Sequence, residues 1–124
     1  MTYDERLAER VRRALEKRED VVEKQMFGGV AFMIRGHMCC GIVRGSLMVR
    51  VDPVLADRWL REAHVRPMDF TGRPMRGFLF VDAAGLVSAP ALRKWIARAT
   101  EFVETKPVKA TGSPRRAAER RARR

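Results

Sequence analysis

The side chains best suited to chemistry are two adjacent thiols, Cys39 and Cys40, with His37 just before them and His64 further along; the chain has no other cysteine or histidine. A cysteine nucleophile needs a depressed pKa and an oriented base, and a structural zinc site wants about four ligands at set spacings. His37 falls at a hairpin tip, Cys40 in an apolar strand and His64 at the end of a helix, so these groups do not naturally converge. Free cysteine commonly behaves as a small buried hydrophobe. We therefore assign no catalytic residue, no metal site and no cofactor, and keep a thiol-based enzyme or redox sensor as a weaker alternative. Neighbours on a strand point to opposite faces, so a Cys39–Cys40 disulfide requires unusual geometry. Two reduced thiols fit a reducing compartment, and the expected location is the cytoplasm.

Gly28 and Gly29 offer backbone N–H groups to an anion, but phosphate loops pair such glycines with a following helix N-terminus or a Lys-Ser/Thr. Here a strand follows. The favoured reading is structural: the glycines permit a bulge or a close strand contact, with Phe27 in the core. Asp52, Asp69 and Asp82 sit where caps and turns want them, and no acid–base pair is legible. Met26, Met33, Met38, Met68 and Met75 read as gap-filling core, while Met48, on the polar face of its strand, is expected at an interface. Between His64 and Gly77, Arg66, Arg73 and Arg76 accompany Phe70. Solvated arginines beside a buried phenylalanine are favoured over a binding loop, and no small-molecule substrate is evident.

The elements that position these groups follow from periodicity. Thr2 and Glu5 form a capping box ahead of Leu7, Val11, Ala14 and Leu15, predicting a helix over residues 4–17. Val21 to Phe27 is extended with weak alternation. Val30, Phe32 and Ile34 alternate with Ala31 and Met33, and Leu47, Val49 and Val51 alternate with Ser46, Met48 and Arg50, with residues 38–43 as the strand between them. Arg35-Gly36 and Arg44-Gly45 supply glycines where tight hairpins need a positive φ. Successive hairpin tips lie at opposite ends of a meander, so Arg35 and Arg44 cannot share a basic patch. Asp52-Pro53 caps a helix over 54–63. Residues 64–77 show no period and read as a loop, Phe78 to Val81 as a short strand. Ser88 caps a final helix whose stripe is Leu92, Trp95, Ile96, Ala99, Phe102 and Val103. Strands in a run followed by helices argue for an α+β fold of two layers, an antiparallel sheet with helices packed on it, in the order α-β-β-β-β-α-β-α.

A chain of 124 residues, 46% hydrophobic, supplies one core without disulfide or metal staples. It divides into a domain over 1–105 and a basic tail over 106–124. No stretch reaches the roughly 20 apolar residues of a membrane span, and the charged N-terminus is unlike a secretory signal. The net charge is +11, and the segment from Lys106 onward holds eight basic residues against one acid, leaving the rest of the chain only +4. Such a tail cannot offset its ordering entropy by burial and is expected to be disordered in isolation. Lys106, Lys109, Arg115, Arg116, Arg120, Arg121, Arg123 and Arg124 are the candidate nucleic-acid contacts, made to phosphates without a folded scaffold. A merely solubilising extension fits the composition equally well.

Met26-Phe27-Gly28-Gly29, the glycine turns at Gly36 and Gly45, and the apolar strand from Leu47 to Asp52 together resemble the TfoX/Sxy N-terminal domain family. Pro74-Met75 before Phe78-Leu79-Phe80-Val81 and the closing helix through Trp95 are similar to that family too. The resemblance spans roughly residues 7–103 and marks Met26, Phe27, Gly28, Gly29, Gly36 and Gly45 as structural motif positions. It implies a small α+β domain of the secretion-chaperone type, in proteins linked to natural competence, and a regulatory rather than enzymatic role. The family's usual Asp-Gly turns are Arg-Gly here, and the basic tail stands where full-length competence regulators carry a second, helical domain. The expectation is a non-enzymatic module, transcription or competence related, whose tail binds nucleic acid non-specifically. The alternative is a protein-interaction module, chaperone-like or homodimeric, whose tail only adds charge.

Overall fold

A computed structural model describes residues 3–26, 28–68 and 76–107. The elements are α1 (Glu5–Ala14), β1 (Val21–Met26), β2 (Gly29–Ile34), β3 (His37–Val43), β4 (Ser46–Arg50), α2 (Pro53–Trp59), β5 (Val65–Pro67), β6 (Phe78–Val81), a 3-10 turn (Ala83–Leu86) and α3 (Ala89–Glu104). The fold is α+β, with one antiparallel sheet in the order β1-β2-β3-β4-β6-β5. The expected helix and strand order holds, with β5 added inside the stretch read as a loop. Three residues containing a proline carry no alternation to read. Pro67 lacks an N–H, which an outermost strand tolerates.

Strand alternation sends two sets of side chains to opposite faces. Val30, Phe32, Ile34, Ile42, Leu47, Val49, Leu79 and Val81 meet Leu7, Val11 and Leu15 of the α1 segment and Leu92, Trp95, Ile96, Ala99 and Val103 of α3 in the main core. On the other face Met48, Met68 and Phe80 form a smaller cluster, flanked by Met38, Val43 and Phe78. Met48 does point away from Leu47 and Val49, but it is 1% exposed. The expectation of an interface methionine is corrected: the side chain is already buried against Met68 and Phe80.

The caps explain where the helices begin and end. Asp4 caps α1, its Oδ1 accepting from the Arg6 and Leu7 amides at 2.9 and 3.1 Å. This corrects the expected cap at Thr2, which lies outside the described residues; an aspartate next to the helix does the same work with the same acceptor chemistry. Asp52 accepts from the Val54 amide at 2.9 Å ahead of Pro53, and Ser88 from the Ala91 amide at 3.2 Å, both as expected. Helix α2 stops at Trp59, short of the expected Ala63, as the chain tightens into i→i+3 bonds and His64 takes φ 69° to turn into β5. Between β2 and β3, Arg35 and Gly36 have φ 56° and 84°, the signature of a two-residue type I′ hairpin. Between β3 and β4, Arg44 takes φ 56° and Gly45 is not left-handed, so the expectation of a glycine-borne positive φ is corrected there.

Candidate functional site

The sequence-nominated contacts begin at the end of α3. Beyond Glu104, the Thr105 and Lys106 amides donate to the Phe102 and Val103 carbonyls at 3.0 Å each, extending the last turn. The Arg35 guanidinium then donates from Nη2 to the Lys106 carbonyl at 3.2 Å, and His37 Nε2 lies 2.7 Å from the Pro107 carbonyl. A carbonyl can only accept, so this contact places the imidazole proton on Nε2. The hairpin tip at Arg35-Gly36 thereby holds the root of the C-terminal segment. Lys106 keeps its ammonium 5.0 Å from the Phe102 ring centroid, and Arg50 reaches Phe102 and Phe78 at 5.8 and 5.7 Å. Lys109, Arg115, Arg116, Arg120, Arg121, Arg123 and Arg124 lie outside the described residues.

The same end of the domain is tied down by Arg18, which donates to Asp20 at 3.0 Å and to Glu104 at 2.6 Å. The bonds from Arg18 hold the Asp20 carboxyl below its ordinary range. The chain leaving α3 therefore starts from a braced point.

Gly28 and Gly29 are glycine for different physical reasons. A Cβ on Gly29 would stand 2.0 Å from the Ile42 carbonyl oxygen, so β3 can approach β2 here only because the side chain is absent. Gly28 turns at φ 74°, and Met26 pairs with Gly29 at the end of the β1–β2 ladder. Phe27 lies outside the described residues.

Both thiols are fully buried in the main core, and the reason corrects an expectation. Cys40 pairs with Phe32 and Met38 with Met33, leaving Cys39 as an extra residue of a β-bulge. The bulge turns neighbouring side chains to one face instead of two. The Cys39 thiol hydrogen-bonded to Cys40, together with burial, pushes the Cys40 pKa well up, the opposite of what a nucleophile needs. His37, by contrast, is committed to Pro107. Among the described residues no group of three or more His, Cys, Asp or Glu is placed to hold a metal ion, and no helix is long and apolar enough to cross a membrane.

Asp82 is more than a turn residue. It accepts from Arg66 Nε at 2.9 Å and from Ser46 Oγ at 3.0 Å, and these bonds, Arg66 first, hold its carboxyl below the ordinary range. Arg66 also lies 4.9 Å from the Phe80 ring centroid; it is exposed, as expected, but stands on β5 and pairs with Asp82 at the end of β6. Arg73 and Phe70 fall outside the described residues.

A family model for the TfoX N-terminal domain matches residues 13–103, most of the chain. The chain belongs to that family. Neither a curated protein nor a solved structure matches it. The matched span of this TfoX N-terminal domain runs from the last two residues of α1 to the end of α3, and so takes in the Met26–Gly29 motif, the bulged cysteines and the Arg35 hairpin, while the basic segment from Lys106 lies beyond it.

Two clusters in this TfoX N-terminal domain escaped the sequence reading. Arg98 stacks between Trp59 and Trp95, 4.2 and 4.5 Å from their centroids, and shares Glu62 with Lys94 at 2.9 Å each. Burial pushes the Glu62 carboxyl up, but Lys94 and Arg98 together prevail and hold it below the ordinary range. Trp95 and Arg98 at i, i+3 were a readable signal; Glu62 was not, because its partners lie across a helix pair. Arg10, Arg13 and Lys17, with Arg93 of α3, line a groove between the two helices. Their recurrence at i, i+3 and i+7 was legible as a basic stripe beside the apolar one.

Proposed function

We propose that the protein is a non-enzymatic regulatory module of the cytoplasm whose basic C-terminal segment contacts nucleic acid through phosphates, without reading sequence. The carrying observation is the concentration of eight cations against one acid from Lys106 onward, in a chain whose net charge is +11. Supporting it, the segment leaves the domain from a braced root at Lys106 and Pro107, held by Arg35 and His37. The burial and raised pKa of Cys40 speak against the thiol-enzyme alternative. Family membership supports a regulatory role, and a link to competence or transcription is part of the same proposal.

The test is fluorescence anisotropy of a labelled mixed-sequence DNA duplex titrated with the full chain and with a full-length variant in which Arg115, Arg116, Arg120, Arg121, Arg123 and Arg124 become glutamine. Six to eight phosphate contacts contribute a log–log salt slope of about −5 to −7. The variant should lose most of that slope. Equal affinity and equal slope for the two proteins overturns the tail's role, and capture of one stoichiometric protein partner by both in nuclease-treated extract then favours the protein-interaction alternative.

A further inference from the structure

A second cationic surface lies on the folded domain itself. The groove between α1 and α3 has a volume of about 450 Å³, and Arg10, Arg13, Lys17 and Arg93 line it, with Glu16 as its acid. Two other cations close in sequence to its α1 wall are already neutralised, Arg12 by Glu9 and Glu23 and Arg18 by Asp20 and Glu104. Among the described residues Arg10, Lys17 and Arg93 make no ion pair, and Arg13 has only a 3.3 Å contact to Glu9. Three unpaired cations and one weakly paired one therefore converge from α1, the turn that follows it and α3.

Arg10 and Arg13 lie about one turn apart on α1, a rise of about 4.5 Å, and Lys17 follows in the turns after Ala14, where the chain tightens into i→i+3 bonds. Such a row suits an anion that repeats along a line. Ala89, the first residue of α3, lines the same groove, and the first turn of α3 carries no acidic residue. The positive end of a helix of 16 residues therefore adds to the potential there.

The floor decides which polyanion fits. Ala14 and Leu92 supply its apolar part, and Leu92 is only 4% exposed. Among the described residues the rest of the lining is the small Ala89 and the stems of the basic side chains, with none of the large aromatic anchors that dominate protein–protein contacts. Among the described residues no aromatic side chain lines the groove, so they offer no platform on which unpaired bases stack. What distinguishes the groove is four basic side chains along its walls, which match a duplex backbone.

Building on the nucleic-acid reading of the tail, we propose that the α1–α3 groove binds the phosphate backbone of duplex DNA as a contact surface separate from the tail. Arginines dominate it, and their planar fork suits phosphate oxygens. Tail and groove then hold DNA together, each with its own share of the salt dependence.

The experiment compares three full-length proteins on a short fluorescein-labelled duplex of mixed sequence, between about 50 and 200 mM salt. The first is wild type. The second carries Arg10→Gln, Lys17→Gln and Arg93→Gln. The third loses the same charge elsewhere, through Lys24→Gln, Arg58→Gln and Arg61→Gln, all exposed and outside the groove. The groove variant is expected to bind about tenfold or more weakly, with a salt slope reduced by about 2 to 3, and the charge-matched control to stay near wild type. Equal losses in the two variants, or none in the groove variant, overturn the groove. So does a groove variant that loses polyglutamate binding as strongly as duplex binding, which makes an acidic protein segment the occupant. Arg93→Gln alone, on an exposed helix position, serves if the triple variant fails to fold, and it should lower the slope by about 1. The tail variant keeps the groove, so loss of one contribution without the other separates the two readings.

Discussion

His37 Nε2 donates to the Pro107 carbonyl across 2.7 Å, joining the turn between β2 and β3 to the root of the C-terminal segment. With Arg35 on the Lys106 carbonyl, two side chains of one hairpin fix where that segment leaves the domain. Arg35→Asn keeps a residue that tolerates the left-handed φ of 56° but removes the donor. It should cost about 1 kcal/mol and speed amide exchange at Thr105 and Lys106, read by NMR, while the β2–β3 amides keep their protection. Unchanged exchange at these two amides would mean that Arg35 does not hold the root.

Gly29→Ala and Gly28→Ala separate crowding from backbone conformation. The first pushes a Cβ to 2.0 Å from the Ile42 carbonyl oxygen; the second meets nothing within 4 Å but must hold φ 74°. Gly29→Ala should destabilise by more than about 3 kcal/mol, and Gly28→Ala by about 1 to 2 kcal/mol. Urea unfolding of both variants checks the order, and equal losses would contradict the packing account of the motif.

The Glu62 carboxyl, drawn below its ordinary range by Lys94 and Arg98 despite burial, gives a pH dependence of fixed sign. A carboxylate with a lowered folded pKa stabilises fully above its unfolded pKa and loses that contribution as pH falls through the folded value. Glu62→Gln should therefore cost about 1 kcal/mol or less at neutral pH, and the gap from wild type should close below the usual carboxylate range. Thermal melts across acid pH decide it. A gap that widens on acidification would refute the clasp between Glu62 and α3.

Burial and the shared hydrogen bond of Cys39 and Cys40 predict thiols that are silent in the native protein. Reaction with a chromogenic disulfide reagent should be about 100-fold or more slower than in denaturant, because attack waits on opening of the core. Cys40→Ser puts a hydroxyl into the main core and should cost about 1 to 3 kcal/mol. Fast native labelling at neutral pH would restore the case for a redox role.

Much of this fold was written in periodicity. The alternation around Phe32 and Val49, the Asp52-Pro53 start and the stripe from Leu92 to Val103 each record burial by a regular element, and each appears where its pattern placed it. The misses share a physical cause. The bulge at Cys39 leaves no trace in residue types, because it is a mismatch between β2 and β3 and not a property of either strand. Strand β5 forms because β6 offers it an edge. Likewise Met48 looked polar-facing from its neighbours Ser46 and Arg50, but Met68 and Phe80, distant in sequence, enclose it. In the candidate site, the basic segment was evident from charge, whereas its clamp depends on a hairpin and a helix end meeting about 70 positions apart.

Among the described residues β1 adjoins only β2 in the sheet, leaving its outer edge without a partner strand, and its two central residues are Glu23 and Lys24. Two copies joined edge to edge by an axis perpendicular to the sheet must place some residue opposite itself. The two such registers that engage most of the strand set Glu23 against Glu23 or Lys24 against Lys24. Like charges directly opposite on neighbouring strands repel. This rim of the sheet thus carries its own deterrent to growing into a longer ribbon, while Pro67 blunts the far rim by withholding a donor.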